Sequence, residues 1–137
     1  MWFTLGSAAL AVALLDRWTK GIIAARPAGR WSVAIAPGVS IRHVRSPARG
    51  IAPGLFVAGW LLTATVLLAA MLTGHVFTSP AAWVGIGAAL AGAASNVHDR
   101  LRHGGIVDFV CVGWWPAFNV ADTAIVIGAA VALVFLR

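Results

Sequence analysis

The sequence predicts an all-α integral membrane protein, with four transmembrane helices and a small surface β-hairpin, or cradle, in the first loop. Three observations carry that expectation. Of 137 residues, 61% are hydrophobic and only 10% are charged, where a soluble domain of this size is about a quarter charged. The acidic residues are four, all Asp. Apolar runs approaching the roughly 20 residues needed to cross a hydrocarbon core of about 30 Å recur four times, separated by polar or Gly-Pro breaks. So apolar a chain is not disordered, and its length suits one membrane domain, residues 1–137.

Taken in order, the first span covers about 2–25. It is free of charge from Trp2 to Leu15 and then continues helically through Asp16, Arg17 and Lys20. Ala11-Val12-Ala13 resembles a small-residue cleavage site, but no Lys or Arg precedes it, so it is read as a retained helix and not as a secretory leader. The second span, 51–72, contains no charged residue. The third, 80–97, is rich in Ala and Gly (Gly85, Gly87, Gly92), which suits close helix packing in lipid. The fourth, 117–136, follows Pro116. Residues 26–50 form an extramembrane loop, in which Val33-Ala34-Ile35 and Val39-Ser40-Ile41 read as short strands around a Pro37-Gly38 turn. Trp18, Trp31, Trp83, Trp114 and Trp115 fall near span ends, as interfacial aromatics do; Trp60 lies inside a span.

The net charge is +6 and the pI about 11.7. A nucleic-acid footprint needs Lys and Arg clustered on a water-facing domain, whereas here they occupy short gaps between apolar runs. Anionic phospholipids are therefore the expected counter-charge, and no nucleic acid is expected. Cys111 is the single cysteine, so packing and not an internal disulfide holds the fold.

Ionisable groups at membrane depth are costly, roughly 2.5–3.5 kcal/mol each on insertion, and mark function by default. With four spans, the end of the first, the end of the third and the start of the fourth share one surface, so Asp16, Asp99, Asp108 and Asp122 converge there. Taken singly, three have local explanations. Asp16 can pair with Lys20 one turn on, Asp99 with Arg100 or Arg102, and Asp122 stands three after Asn119, the spacing of a capping box at a helix start. Asp108, inside Ile106-Val107-Asp108-Phe109-Val110, has no such partner, and desolvation there raises its pKa. Two carboxylates sharing a site supply an acid and a base near neutral pH. Asp108 and Asp122 fit that division, and which of them is the base is left open because a coupled pair titrates as a unit.

Other constellations are weaker. His98 and His103 beside Asp99 lack the spacing of a metal motif, so no metal and no cofactor is expected. Cys111 lies three residues from Asp108, but a small buried hydrophobe explains it better than a nucleophile does.

Asp16-Arg17-Trp18-Thr19-Lys20, Asn96-Val97-His98-Asp99-Arg100-Leu101, Gly105-Ile106-Val107-Asp108-Phe109 and Pro116-Ala117-Phe118-Asn119-Val120-Ala121-Asp122-Thr123 together resemble, in order along the chain, the signature blocks of bacterial lipoprotein signal peptidases, the type II signal peptidases. The resemblance implies an aspartic endopeptidase of the bacterial cytoplasmic (inner) membrane, multi-pass, with its active site near the outer face. Its substrates would be prolipoproteins, cut just before a diacylglyceryl-modified cysteine. It assigns Asp108 and Asp122 to the catalytic dyad, Asn96, Asp99, Arg100 and Asn119 to the surrounding polar shell, and Asp16 and Lys20 to its support from the first helix. A monomer is expected.

The chain departs from the family pattern in three places. Arg45-Ser46-Pro47-Ala48-Arg49-Gly50 stands where the family usually carries Asn-x-Gly-x-Ala-Phe, Ser95 replaces a usual Gly, and the stretch between Asp108 and Asp122 is short. Alternatives from other classes are a catalytically altered paralogue acting as a membrane binding protein, and a small proton-coupled carrier using the same Asp cluster. The cation distribution also opposes the implied topology. Arg17, Lys20, Arg26, Arg30, Arg42, Arg45, Arg49, Arg100 and Arg102 lie on the Asp-bearing face and Arg137 alone on the other, which by the positive-inside rule would turn that face to the cytoplasm.

Overall fold

The computed structural model describes residues 1–47, 53–74 and 77–136; Ala48, Arg49, Gly50 and Arg137 lie outside the described residues. The elements run α1 (Trp2–Ala24), β1 (Ser32–Ala36), β2 (Val39–Pro47), α2 (Pro53–Leu72), α3 (Pro80–His103), β3 (Gly105–Val112) and α4 (Val120–Val134). The expected β1–β2 hairpin forms, turning at Gly38, whose φ of 75° lies in the left-handed region that favours glycine. It is joined by β3, which the sequence reading did not assign, in an antiparallel sheet ordered β1-β2-β3. The fold is therefore four helices plus a three-stranded sheet, and the all-α expectation is corrected on that point.

α3 is the central helix, and glycines let its neighbours come close. A Cβ on Gly85 would lie 2.5 Å from the Gly128 carbonyl oxygen of α4, one on Gly87 would run into the Leu5 carbonyl oxygen of α1, and one on Gly92 would lie 2.5 Å from the Ala121 carbonyl oxygen of α4. Ser79 caps the start of α3, its hydroxyl accepting from the Ala81 N–H, with Pro80 at the first helical position. The helix continues past Val97 to His103, placing Arg100, Arg102 and His103 in its last turn, and Gly104 closes it in the left-handed conformation.

At the opposite end a cluster of Met71, Phe77, Ala82, Trp83, Ile86 and Ala132 forms the core. Trp83, expected at an interface, is buried there. Its indole N–H donates to the Phe77 carbonyl oxygen at 2.6 Å, and its ring meets Trp2 edge-on. Trp60 ties α2 to α3, its indole N–H donating to the Leu90 carbonyl oxygen at 3.1 Å.

Outside, the helices expose large apolar side chains, among them Phe3, Leu10, Leu14 and Trp18 of α1, Leu55, Leu62 and Val66 of α2, and Val126, Ile127 and Leu133 of α4. Among the described residues no helix is long and apolar enough to cross a membrane. In α1 the polar content responsible is Asp16, Arg17 and Lys20; in α3 it is the small residues and the polar C-terminal turns; α4 has only 15 residues.

Candidate active site

The sheet packs at the end of the bundle where α1 and α3 finish and α4 begins, because β1 follows α1 and β3 connects α3 to α4. That connectivity brings acids far apart in sequence onto one surface. β3 carries Asp108, buried at 6% exposure, and α4 carries Asp122 in its first turn.

Asn119 links the two carboxylates. Its side-chain amide donates to Asp108 Oδ1 at 2.8 Å and its backbone N–H to Asp122 Oδ2 at 3.1 Å. Its own Oδ1 accepts from the Asp122 N–H at 2.9 Å, which completes the capping box read in the sequence. The local and functional explanations of Asp122 thus hold together, since the cap fixes one oxygen and leaves Oδ1 to accept from Asn96 Nδ2 at 2.7 Å. Asn119 is fully buried, and the bridge formed by Phe118 with Val110 holds the chain beside β3 just before α4 starts.

Asp108 Oδ2 accepts from the Ser46 hydroxyl of β2. Burial pushes the Asp108 carboxyl above the ordinary carboxylate range and the Asp122 charge adds to this, against the hydrogen bonds from Ser46 and Asn119 and the charge of Lys20.

A second tier holds the first from α1. The carboxylate of Asp16, with no exposed surface, pairs with Lys20 Nζ at 2.6 Å and accepts from the Ala121 N–H at 2.9 Å and the Ser95 hydroxyl at 2.5 Å. Lys20 Nζ also lies 2.7 Å from Asp99 Oδ2 and donates to Asn96 Oδ1 at 3.0 Å. The ion pair of Asp99 is thus made with α1, a partner that sequence reading did not assign to it. One ammonium joins Asp16, Asn96 and Asp99, and Asn96 relays that order to Asp122. Buried charges persist only when paired and hydrogen-bonded in this way.

Arg100, half-buried, lines a cavity of about 720 Å³ between α2, α3 and α4, together with Asn96 and Asp122. The rest of its wall is apolar apart from Thr63, and includes Trp60, Leu67, Leu90 and Ile125. All eight residues singled out in the sequence thus gather at one end of the bundle. Ser46 and Ser95 were missed as participants; both stand at departures from the family pattern, which is where a signal lay. Cys111 falls on the face of β3 opposite Asp108, three residues along a strand, and His103 Nδ1 is 4.0 Å from Asp99 Oδ1 on an exposed ring.

Fold and site together define a four-helix protein with a small sheet closing one end over a pair of carboxylates, Asp108 buried and Asp122 half-buried. Residues 8–137 match the family model described as signal peptidase (SPase) II. A lipoprotein signal peptidase of Syntrophomonas wolfei is 34% identical over 93% of this chain and 88% of its own length, and one of Solibacter usitatus is 34% identical over 98% and 90%. One of Rhodococcus jostii is 43% identical over 66% of this chain, a match that spans half of that relative. Among solved structures, a bacterial membrane enzyme determined by the in meso method at 1.9 Å resolution superposes with a TM-score of 0.75, at 28% identity, over 96% of this chain and 90% of the other. The chain belongs to the signal peptidase II family.

Proposed function

We propose that the protein is an aspartic endopeptidase that removes signal peptides from diacylglyceryl-modified prolipoproteins, with Asp108 and Asp122 as its catalytic dyad. The observation that carries this reading is the junction of two carboxylates, bridged by one buried Asn119, with an apolar cavity of about 720 Å³ whose polar end is formed by Asp122, Asn96 and Arg100. An apolar signal segment lying in that cavity brings its polar end to the dyad. Asp122 takes the part of the base, its two oxygens oriented by the Asn96 amide and the Asn119 N–H at the start of α4. Asp108, raised by burial, holds the proton. Asp122 then takes a proton from the attacking water while Asp108 donates to the scissile carbonyl, giving a gem-diol; as the C–N bond breaks, the proton gained by Asp122 passes to the leaving amine and a gem-diol hydroxyl returns its proton to Asp108 as the carbonyl re-forms. No metal or cofactor is needed for these steps.

The helices span the cytoplasmic (inner) membrane in this reading, with one membrane domain over 1–137. In its support, α2 carries no charged residue, and the acid and ammonium that lower the hydropathy of α1 are buried against α3 and α4, so the outward face of α1 presents Phe3, Leu10, Leu14 and Trp18, with Arg17 its one exposed charge. The active site faces the outside, where exported precursors arrive. Exposed Arg17, Arg26, Arg30 and Arg42 beside Trp18 and Trp31 suit anionic phospholipid headgroups. A monomer suffices, since all eight site residues come from one chain.

The test is complementation of cells depleted of their own type II signal peptidase. Wild type is expected to restore prolipoprotein cleavage, and Asp108→Asn and Asp122→Asn to lower it at least about a thousandfold, the scale of losing an essential acid or base. Uncut prolipoprotein with wild type removes the peptidase reading; normal cleavage by either Asn variant removes the dyad.

A further inference from the structure

Ser46 is the one donor to the carboxylate pair that comes from the sheet's second strand. The register explains why it reaches. Val44 stands opposite Asp108 and Ser46 opposite Ile106, so Ser46 is the diagonal neighbour of Asp108 on the same face of the sheet. A bulge between Ile41 and Val44 sets that register, because a slip of one residue turns the hydroxyl to the other face. With Asn119 on Oδ1 and Ser46 on Oδ2, both oxygens of Asp108 are held, one from the cap of α4 and one from β2.

We propose that Ser46 is a positioning residue of the dyad, its hydroxyl fixing the plane of the Asp108 carboxyl and following its change of protonation during the reaction. A hydroxyl is suited to both roles: it donates to a carboxylate and, rotated, accepts from a carboxylic acid. The contact therefore survives the gain and loss of the Asp108 proton without movement of β2. This goes beyond the peptidase reading but rests on it. The side chain acts through Asp108.

The charged groups that act on Asp108 are Asp122 from α4, which raises it, and Lys20 from α1, which lowers it; the neutral donors Ser46 and Asn119 also lower it. Removing the hydroxyl takes away a lowering influence. If Asp108 works protonated, activity falls as pH rises through its pKa, so loss of Ser46 moves that alkaline limb to higher pH.

The experiment measures kcat, KM and the pH profile of purified enzyme in detergent on a lipidated prolipoprotein, for wild type, Ser46→Ala and Ser46→Thr, with thermal unfolding followed in parallel. Ser46→Ala is expected to lower kcat about tenfold, the equivalent of about 1.4 kcal/mol, with little change in KM and an alkaline limb shifted upward. Ser46→Thr, which keeps the hydroxyl, is expected to restore both. An unshifted profile in Ser46→Ala overturns the proposal, and so does an equal loss in Ser46→Thr at wild-type melting temperature. If wild type itself does not cleave, the peptidase reading fails; if it cleaves and the Ser46 variants behave alike, only the positioning role fails.

Discussion

At Asp108, five influences act on one carboxyl, and burial outweighs the donors that oppose it. The sign of the consequence for stability follows from linkage. The folded value lies above the unfolded one, near 3.9, so the protonated group's contribution is complete below the unfolded value and is lost as pH rises through the folded value. Asn, which never ionises, avoids that loss, and it retains a carbonyl for Asn119 and an amide for the Ser46 hydroxyl. Asp108→Asn is therefore expected to be inactive yet to unfold at a higher temperature than wild type at neutral pH, by roughly 4 °C for each kcal/mol, with the difference shrinking toward about pH 4. Melting curves across that range check it; a difference that stays constant with pH shows that ionisation of Asp108 carries no penalty in the fold. The same residue shows what sequence can disclose. An acid without a local partner in an apolar run announces a desolvated site, whereas Ser46 announces nothing, because a hydroxyl in a loop gains meaning only from strand register.

Among the elements, the hairpin was legible because Pro37-Gly38 between β-prone runs specifies a turn, and the helices were legible through apolar length. β3 was not. Its eight residues, Gly105 to Val112, are buried on both faces for most of their length, so they lack the period-two alternation that marks a strand, and the strand exists because β2 offers an edge. α3 outruns its apolar segment for a related reason: Asn96 and Asp99 are held by Lys20 of α1, so the helix persists where hydropathy falls. The glycines of α3 were correctly read as packing. Their spacing does not say which neighbour comes closest, and the structure places Gly85 against Gly128. Gly85→Ala puts a methyl group into the α4 backbone and is expected to cost about 1–3 kcal/mol. Gly6→Ala, in α1 with no atom within 4 Å of the added Cβ, is expected to be neutral or to stabilise by up to about 1 kcal/mol through helix propensity. Thermal unfolding of both in detergent tests the contrast, and an equal effect of the two would mean that the α3–α4 approach is not tight.

For the whole molecule, two electrical arguments oppose each other. The excess of Arg around the sheet, read by the positive-inside rule, turns that end toward the cytoplasm, while a peptidase acting on exported precursors needs it outside. The structure bears on the weight of the first argument. Lys20 is buried between Asp16 and Asp99, with two acids for one ammonium, so it adds no cationic surface, and Arg45 is engaged with the His103 carbonyl oxygen at 2.8 Å. Among the described residues the remaining exposed cations include Arg side chains on and around the sheet, with Arg26 set over the Trp31 ring at 5.7 Å, an arrangement suited to lipid headgroups on either side of a membrane. Topology therefore rests on where substrate arrives, and the sheet is expected outside. Ile35 of β1, 63% exposed, reports it. Ile35→Cys, made in a Cys111→Ala background to remove the native thiol, should react with a membrane-impermeant maleimide added to intact cells. Labelling only after the cells are opened would place the sheet, and with it Asp108 and Asp122, in the cytoplasm, beyond the reach of a translocated lipoprotein precursor.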